Sequence, residues 1–144
     1  VHRASVSVAG ELRGSIGAGI LVLLGVHQDD SEAEIEWLVN KLARLRIWED
    51  ADGRMNESLE ATGKEILLIS QFTLFGNLAK GTRPSFNHAA PPERARRLYH
   101  AFHQALQIRL LQTIPTGIFG AEMDIQASLD GPVTLILDTY QRDF

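Results

Sequence analysis

The chain has 144 residues and a net charge of −4, with 44% hydrophobic and 22% charged residues. That is enough for one domain with a real core, in the proportions of an ordinary globular protein. The absence of cysteine excludes disulfides, thiolate metal ligands and a cysteine nucleophile, and the negative charge excludes a global basic field for nucleic acid.

No apolar run approaches the ~20 residues of a membrane helix; the longest, Ile20–Val26, has the length of a strand. No signal peptide is recognisable, and the absence of cysteine fits a reducing compartment, so a cytoplasmic protein with no membrane partner is expected. Ala4–Val8 alternates, with Ala4, Val6 and Val8 on one side and Ser5 and Ser7 on the other, which predicts a half-buried strand. Gly10 turns the chain toward Glu11–Ile16. Gly19–Val26 is continuously apolar and reads as a strand buried on both faces.

Ser31-Glu32-Ala33-Glu34 has the spacing of a capping box. Ile35, Leu38, Val39, Leu42 and Leu45 follow at helical spacing. Glu32, Glu34 and Glu36 near the start and Lys41, Arg44 and Arg46 near the end suit the helix dipole. Asp52-Gly53 marks a turn after Arg46–Trp48, and Glu65–Phe75 reads as a further strand. Pro91-Pro92 opens a second helix with Leu98, Phe102, Ala105 and Leu106 on its inner stripe. Glu122–Leu129 alternates cleanly, and Val133–Asp138 is its expected hairpin partner. The order predicts an α+β fold: a mainly antiparallel, barrel-like sheet with two principal helices.

Common catalytic signatures are missing: the sequence has no G-x-S-x-G elbow, no H-E-x-x-H and no P-loop. His100 and His103 share a helix face without an evident third metal ligand, and His27 and His88 are isolated in sequence. No histidine stands out as a general base; neither a metal nor another cofactor is expected. Lys80 and Arg83 in a loop, with Arg94, Arg96 and Arg97 on the second helix, could form a local basic patch; the plain alternative is a solvated surface.

Two stretches resist a purely structural reading. In "SQFTLF" (70–75), Ser70, Gln71 and Thr73 interrupt an apolar strand; polar groups left unpaired in a core cost roughly 1–3 kcal/mol each, so they either pair internally or line a cavity. Thr73 has no adjacent base, and an unactivated hydroxyl is a poor nucleophile. In "LDGPVTLILD" (129–138), Pro132 stands at the first strand position, where it donates no ladder bond, beside Val133, Leu135 and Leu137, which look like core.

Together these stretches resemble a known family. "SQFTL" at 70–74 and "GPVT" at 131–134 are similar to the two signature motifs of the D-aminoacyl-tRNA deacylases, also called D-tyrosyl-tRNA deacylases. "RASV" at 3–6, "ILVLLGV" at 20–26, "RIWED" at 46–50, "GRMN" at 53–56, "RPSF" at 83–86, "AAPPE" at 89–93 and "TGIFGAEM" at 116–123 follow the family in order. The resemblance implies a single domain over 1–144. Family chains begin with a strand ending in Gln-Arg-Val; Val1 matches that Val, so most of the first strand is expected to be missing. Leu129 stands where the family usually has Asn.

The resemblance implies an editing enzyme that hydrolyses the ester of D-aminoacyl-tRNA, and of glycyl-tRNA, and works as a homodimer. Ser70, Gln71, Phe72 and Thr73 are implied to shape the aminoacyl pocket, with backbone N–H groups as oxyanion donors. Gly131 and Pro132 are implied to form a cis corner reaching the partner's site and excluding L side chains. Phe119 and Met123 are implied to bind the terminal adenosine, whose 2′-hydroxyl helps activate water; Lys80 and Arg83 are candidate phosphate contacts. The rival reading is a non-catalytic nucleic-acid-binding module on the same fold. A eukaryotic branch is linked to DNA replication through an added C-terminal tail, but Tyr140–Phe144 is too short to resemble it.

Overall fold

The computed structural model describes residues 1–142. β1 (Arg3–Val8) buries Ala4 and Val6, as the alternation predicts. It turns through Ala9 and Gly10, both at positive φ, into the antiparallel β2 (Glu11–Ile16). β7 (Asp124–Ser128) lies antiparallel along the other edge of β1, with Arg3 opposite Ser128 and Ser7 opposite Asp124. The strand order is β2-β1-β7.

β3 (Gly19–Leu24) and β6 (Glu65–Ser70) form a parallel pair, in register from Gly19–Glu65 to Leu24–Ser70. On the other side of β6 the Leu68 N–H donates to the Pro115 carbonyl at 3.0 Å, and Leu68 bridges Thr116. β6 is therefore flanked on both edges, and Ile66, Leu67, Leu68 and Ile69 are each at most 1% exposed. Ile66 and Leu68 pack with Val39, Leu42, Tyr99, Phe102 and Leu106. Leu67 and Ile69 pack with Ala4, Val6 and Ile16. The strand buried on both faces is thus β6. β3, expected in that role, is a sheet edge among the described residues, and its Leu23 is 42% exposed.

α1 (Glu32–Ala43) starts at the expected capping box: the Glu34 carboxylate accepts from the Ser31 N–H at 2.7 Å and from its hydroxyl at 2.8 Å. Those bonds hold the Glu34 carboxyl below the usual carboxylate range. β4 (Arg46–Glu49) and β5 (Met55–Ser58) form a small hairpin, followed by the one-turn α2 (Leu59–Thr62), which buries Leu59. α3 (Pro92–Leu110) opens with Pro92 in its first turn, where a missing N–H costs nothing, and buries Leu98, Tyr99, Phe102 and Leu106. It begins beside the end of β3, where the Ala90 N–H donates to the Val26 carbonyl, and it ends by the start of β6, where Gln112 reaches the Lys64 carbonyl. α3 thus runs antiparallel to β6.

The architecture is α+β with two principal helices; three of the four strand ladders are antiparallel. The strands form three separate sheets, without closure into a barrel among the described residues.

Two strand expectations are corrected. The strand predicted over Glu65–Phe75 stops at Ser70, and Phe72–Phe75 is a 3₁₀ turn. The Gln71 N–H makes a last bond to the Leu24 carbonyl; the turn then folds Phe75 back over Gly25, where a Cβ would come within 2.9 Å of the ring. Val133–Asp138 does not pair with β7, whose partner is β1. The Asp130–Val133 turn, closed by a 2.9 Å bond from the Val133 N–H to the Asp130 carbonyl, leads the chain away. Val133 and Leu135, expected in the core, are exposed. The tail then returns across the molecule: Tyr140 reaches the His27 ring, and the Arg142 guanidinium lies over Trp37.

Candidate active site

The turn after β6 brings the four residues of "SQFT" together at one end of the molecule. Ser70 and Gln71 are half-buried, whereas Phe72 and Thr73 are exposed. The polar groups expected to interrupt a buried strand are therefore carried out of the core. The Gln71 side-chain amide donates to the Thr73 hydroxyl, fixing one against the other. The backbone N–H groups of Phe72 and Thr73, first in the 3₁₀ turn, have no acceptor among the described residues. Two adjacent free N–H groups can receive an anionic oxygen. Phe72 leans edge-on against Phe86, ring centroids 5.0 Å apart.

The loop after the turn is pinned by reciprocal bonds between Asn77 and Ser85, of 2.8 and 3.0 Å. It carries Lys80 and Arg83, both exposed. Beyond it, His88 stacks on His27 at 5.9 Å, and His27 also meets Phe75 and Tyr140. In the sequence these histidines are isolated. Sixty-one positions separate them, and only the pairing of the His27 and Ala89 stretches brings them together. The His27 N–H donates to the Asp30 carboxylate at 2.7 Å; partial burial nevertheless pushes the Asp30 carboxyl above its ordinary value.

Phe119 and Met123, both half-buried, pack at the margins of different core clusters. Phe119 packs against Tyr99, with ring centroids 5.6 Å apart, at the margin of the helix-side core. Met123 packs against the Ala4, Val6 and Ile69 core, its sulfur over Gly117. Tyr99 donates its hydroxyl to the Leu68 carbonyl at 3.0 Å, and burial pushes the phenol up to about 12. His103 meets the Ile114 carbonyl at 2.8 Å.

The arginine cluster on α3 is dispersed. Arg94 bonds the Asp30 carbonyl and Arg97 the Glu32 carboxylate, tethering α3 to the start of α1. Arg96 alone of the three lies over Phe119, at 5.2 Å from its ring centroid.

Gly131 and Pro132 are exposed, and the bond between them is cis. They follow β7 beside His2, which pairs with Asp130 at 3.5 Å. Val1 in turn exchanges backbone hydrogen bonds with Gly19, opposite Glu65. The corner therefore lies at the Glu65 end, whereas "SQFT" lies at the Ser70 end. One chain does not bring these two motifs together.

Fold and site define an α+β protein whose candidate site is an open turn at a strand end. The chain belongs to the family described as D-Tyr-tRNA(Tyr) deacylase, whose profile matches residues 1–138. It is 50% identical over 143 residues to the D-aminoacyl-tRNA deacylase of Opitutus terrae, covering 99% of this chain and 95% of that one. It is 52% identical over 135 residues to the D-aminoacyl-tRNA deacylase of Salinibacter ruber, covering 94% and 90%. Among solved structures, that of a c-Myc DNA Unwinding Element Binding Protein superposes with a TM-score of 0.89 at 42% identity, covering 96% of this chain and 93% of that one. A probable eukaryotic D-amino acid tRNA deacylase superposes with a TM-score of 0.72 at 17% identity, covering 86% and 87%, a likeness of fold alone.

Proposed function

We propose that this chain removes D-amino acids from tRNA by hydrolysing the ester at the tRNA 3′ end, with the turn after β6 as its reaction site. Membership of the family makes it a deacylase, a hydrolase of the aminoacyl-tRNA ester bond. The observation that carries the siting is the pair of free N–H groups at Phe72 and Thr73, beside the Gln71–Thr73 bond.

Water attacks the ester carbonyl, the developing oxyanion is received by those N–H groups, and the bond to the ribose oxygen breaks to give free D-amino acid and tRNA. The water is activated with help from the neighbouring 2′-hydroxyl of the terminal adenosine, so the chain's task is to position the ester. Ser70, Gln71, Phe72 and Thr73 shape the aminoacyl pocket, Phe119 and Met123 hold the adenosine, and Lys80 and Arg83 meet tRNA phosphates.

The chiral filter is the Gly131–Pro132 corner of a second copy. Its distance from "SQFT" within one chain supports a two-fold dimer, in which each corner caps the partner's turn. An L side chain meets the corner's backbone; a D side chain points away, and glycine has none to exclude, so glycyl-tRNA is also a substrate. Action on aminoacyl-tRNA supports a cytoplasmic location.

The test is ester loss from D-Tyr-tRNA and L-Tyr-tRNA under the same conditions. Rapid loss from the D form alone is expected; equal rates sink the reading. The 42%-identical structure, of a protein named for binding a DNA unwinding element, supports DNA binding as a second reading. DNA binding together with an inert D-Tyr-tRNA would select it.

A further inference from the structure

We infer that Arg96 is a further substrate-binding residue, which takes the phosphodiester joining the terminal adenosine to the preceding nucleotide of the tRNA. The inference rests on the reading of Phe119 as the residue against which the adenosine sits. Three observations carry it.

The first is position. α3 begins beside Val26 and runs antiparallel to β6, so its first turns stand at the Ser70 end. Arg96 is four residues, or about 6 Å, from Pro92 at a rise of 1.5 Å per residue.

The second is the state of the guanidinium. Arg94 and Arg97, on the same helix, are committed to the Asp30 carbonyl and the Glu32 carboxylate. Arg96 is exposed and makes no hydrogen bond or ion pair among the described residues. It lies instead over Phe119, whose other neighbour is the buried Tyr99. An aromatic ring backed by the core holds the guanidinium face and leaves its N–H fork free at the edge.

The third is the chemistry of the substrate end. In an aminoacyl ester the amino acid's carboxylate is consumed and its α-amino group is cationic. The ribose and base are neutral. The phosphodiester is thus the anion nearest the adenosine, and its two non-bridging oxygens match the guanidinium fork.

The experiment compares two D-tyrosyl esters: D-Tyr-tRNA, and D-tyrosyl-adenosine, which has no phosphate. Each is turned over by the wild type, Arg96→Gln, Arg96→Lys and Phe119→Ala. Arg96→Gln is expected to lower kcat/KM on the tRNA about tenfold, through KM, and to leave the nucleoside ester unchanged. The log–log salt slope of tRNA binding should shrink by about 0.7, one single-strand phosphate contact. Arg96→Lys should recover part of the loss. Equal loss on both esters, or no loss on either, overturns the assignment. Failure of the underlying adenosine reading looks different: Phe119→Ala would turn over the nucleoside ester at the wild-type rate.

Discussion

Ile66–Ile69 and Val133–Ile136, the second apolar but for Thr134, reach opposite environments. The first is at most 1% exposed; in the second, Val133, Leu135 and Ile136 are 47%, 54% and 65% exposed. Residues 66–69 have β3 on one edge, the Pro115–Thr116 stretch on the other, and a core on each face. Residues 133–136 have no ladder on either edge among the described residues. Hydrophobicity marks a segment that needs cover, but the source of the cover is set by topology. For β6 it is the chain itself; for 133–136 the proposed source is the second copy, since open apolar edges invite pairing.

Leu68→Ala should destabilise the protein by about 2–5 kcal/mol, because the site is too tightly enclosed to collapse. Urea denaturation measures it, and a loss below about 1 kcal/mol would mean that β6 is not the centre of the core. Leu135→Asp should act on the other stretch without touching the fold. Sedimentation should show monomer, with deacylation down about a hundredfold, or roughly 2.7 kcal/mol in transition-state stabilisation, and an unchanged circular dichroism spectrum. A Leu135→Asp enzyme that sediments as a monomer yet is fully active would remove the dimer from the mechanism.

A smaller effect is expected at the corner that starts the exposed stretch. Gly131 has φ +102°, and a Cβ there would come within 3.1 Å of a Val133 methyl. Gly131→Ala should displace the corner, since such a backbone costs other residues about 1–3 kcal/mol. The D-over-L ratio in kcat/KM should fall about tenfold, and an unchanged ratio would free the corner of its chiral role.

The smallest effect returns to β6. Tyr99→Phe deletes the bond to the Leu68 carbonyl and should cost about 1 kcal/mol. Folding raises the Tyr99 phenol from 10 to about 12, so its neutral form is favoured in the folded state. That contribution is complete below pH 10 and is lost as pH rises through about 12. Alkaline unfolding curves of the wild type should carry this slope; those of Tyr99→Phe should lack it.

What the sequence determined by itself is the local and the periodic. Ser31 and Glu34 are three residues apart, so their reciprocal cap needs nothing else. Pro92 starts α3, and the Leu98, Phe102 and Leu106 stripe faces the core, because the residues on one helix face are fixed by spacing. The ordered motifs also disclosed the family, since they record residue identity rather than contact.

Tertiary structure decided what depends on distant partners. β6 ends at Ser70 because its last ladder bond goes to Leu24 and Phe75 then packs over Gly25. β7 joins β1, more than a hundred residues earlier, instead of the segment that follows it. His27 met His88, and Arg94 and Arg97 were drawn to α1, leaving Arg96 over Phe119. Apolar content and charge are properties of single residues, whereas pairing and exposure belong to residues the fold brings together.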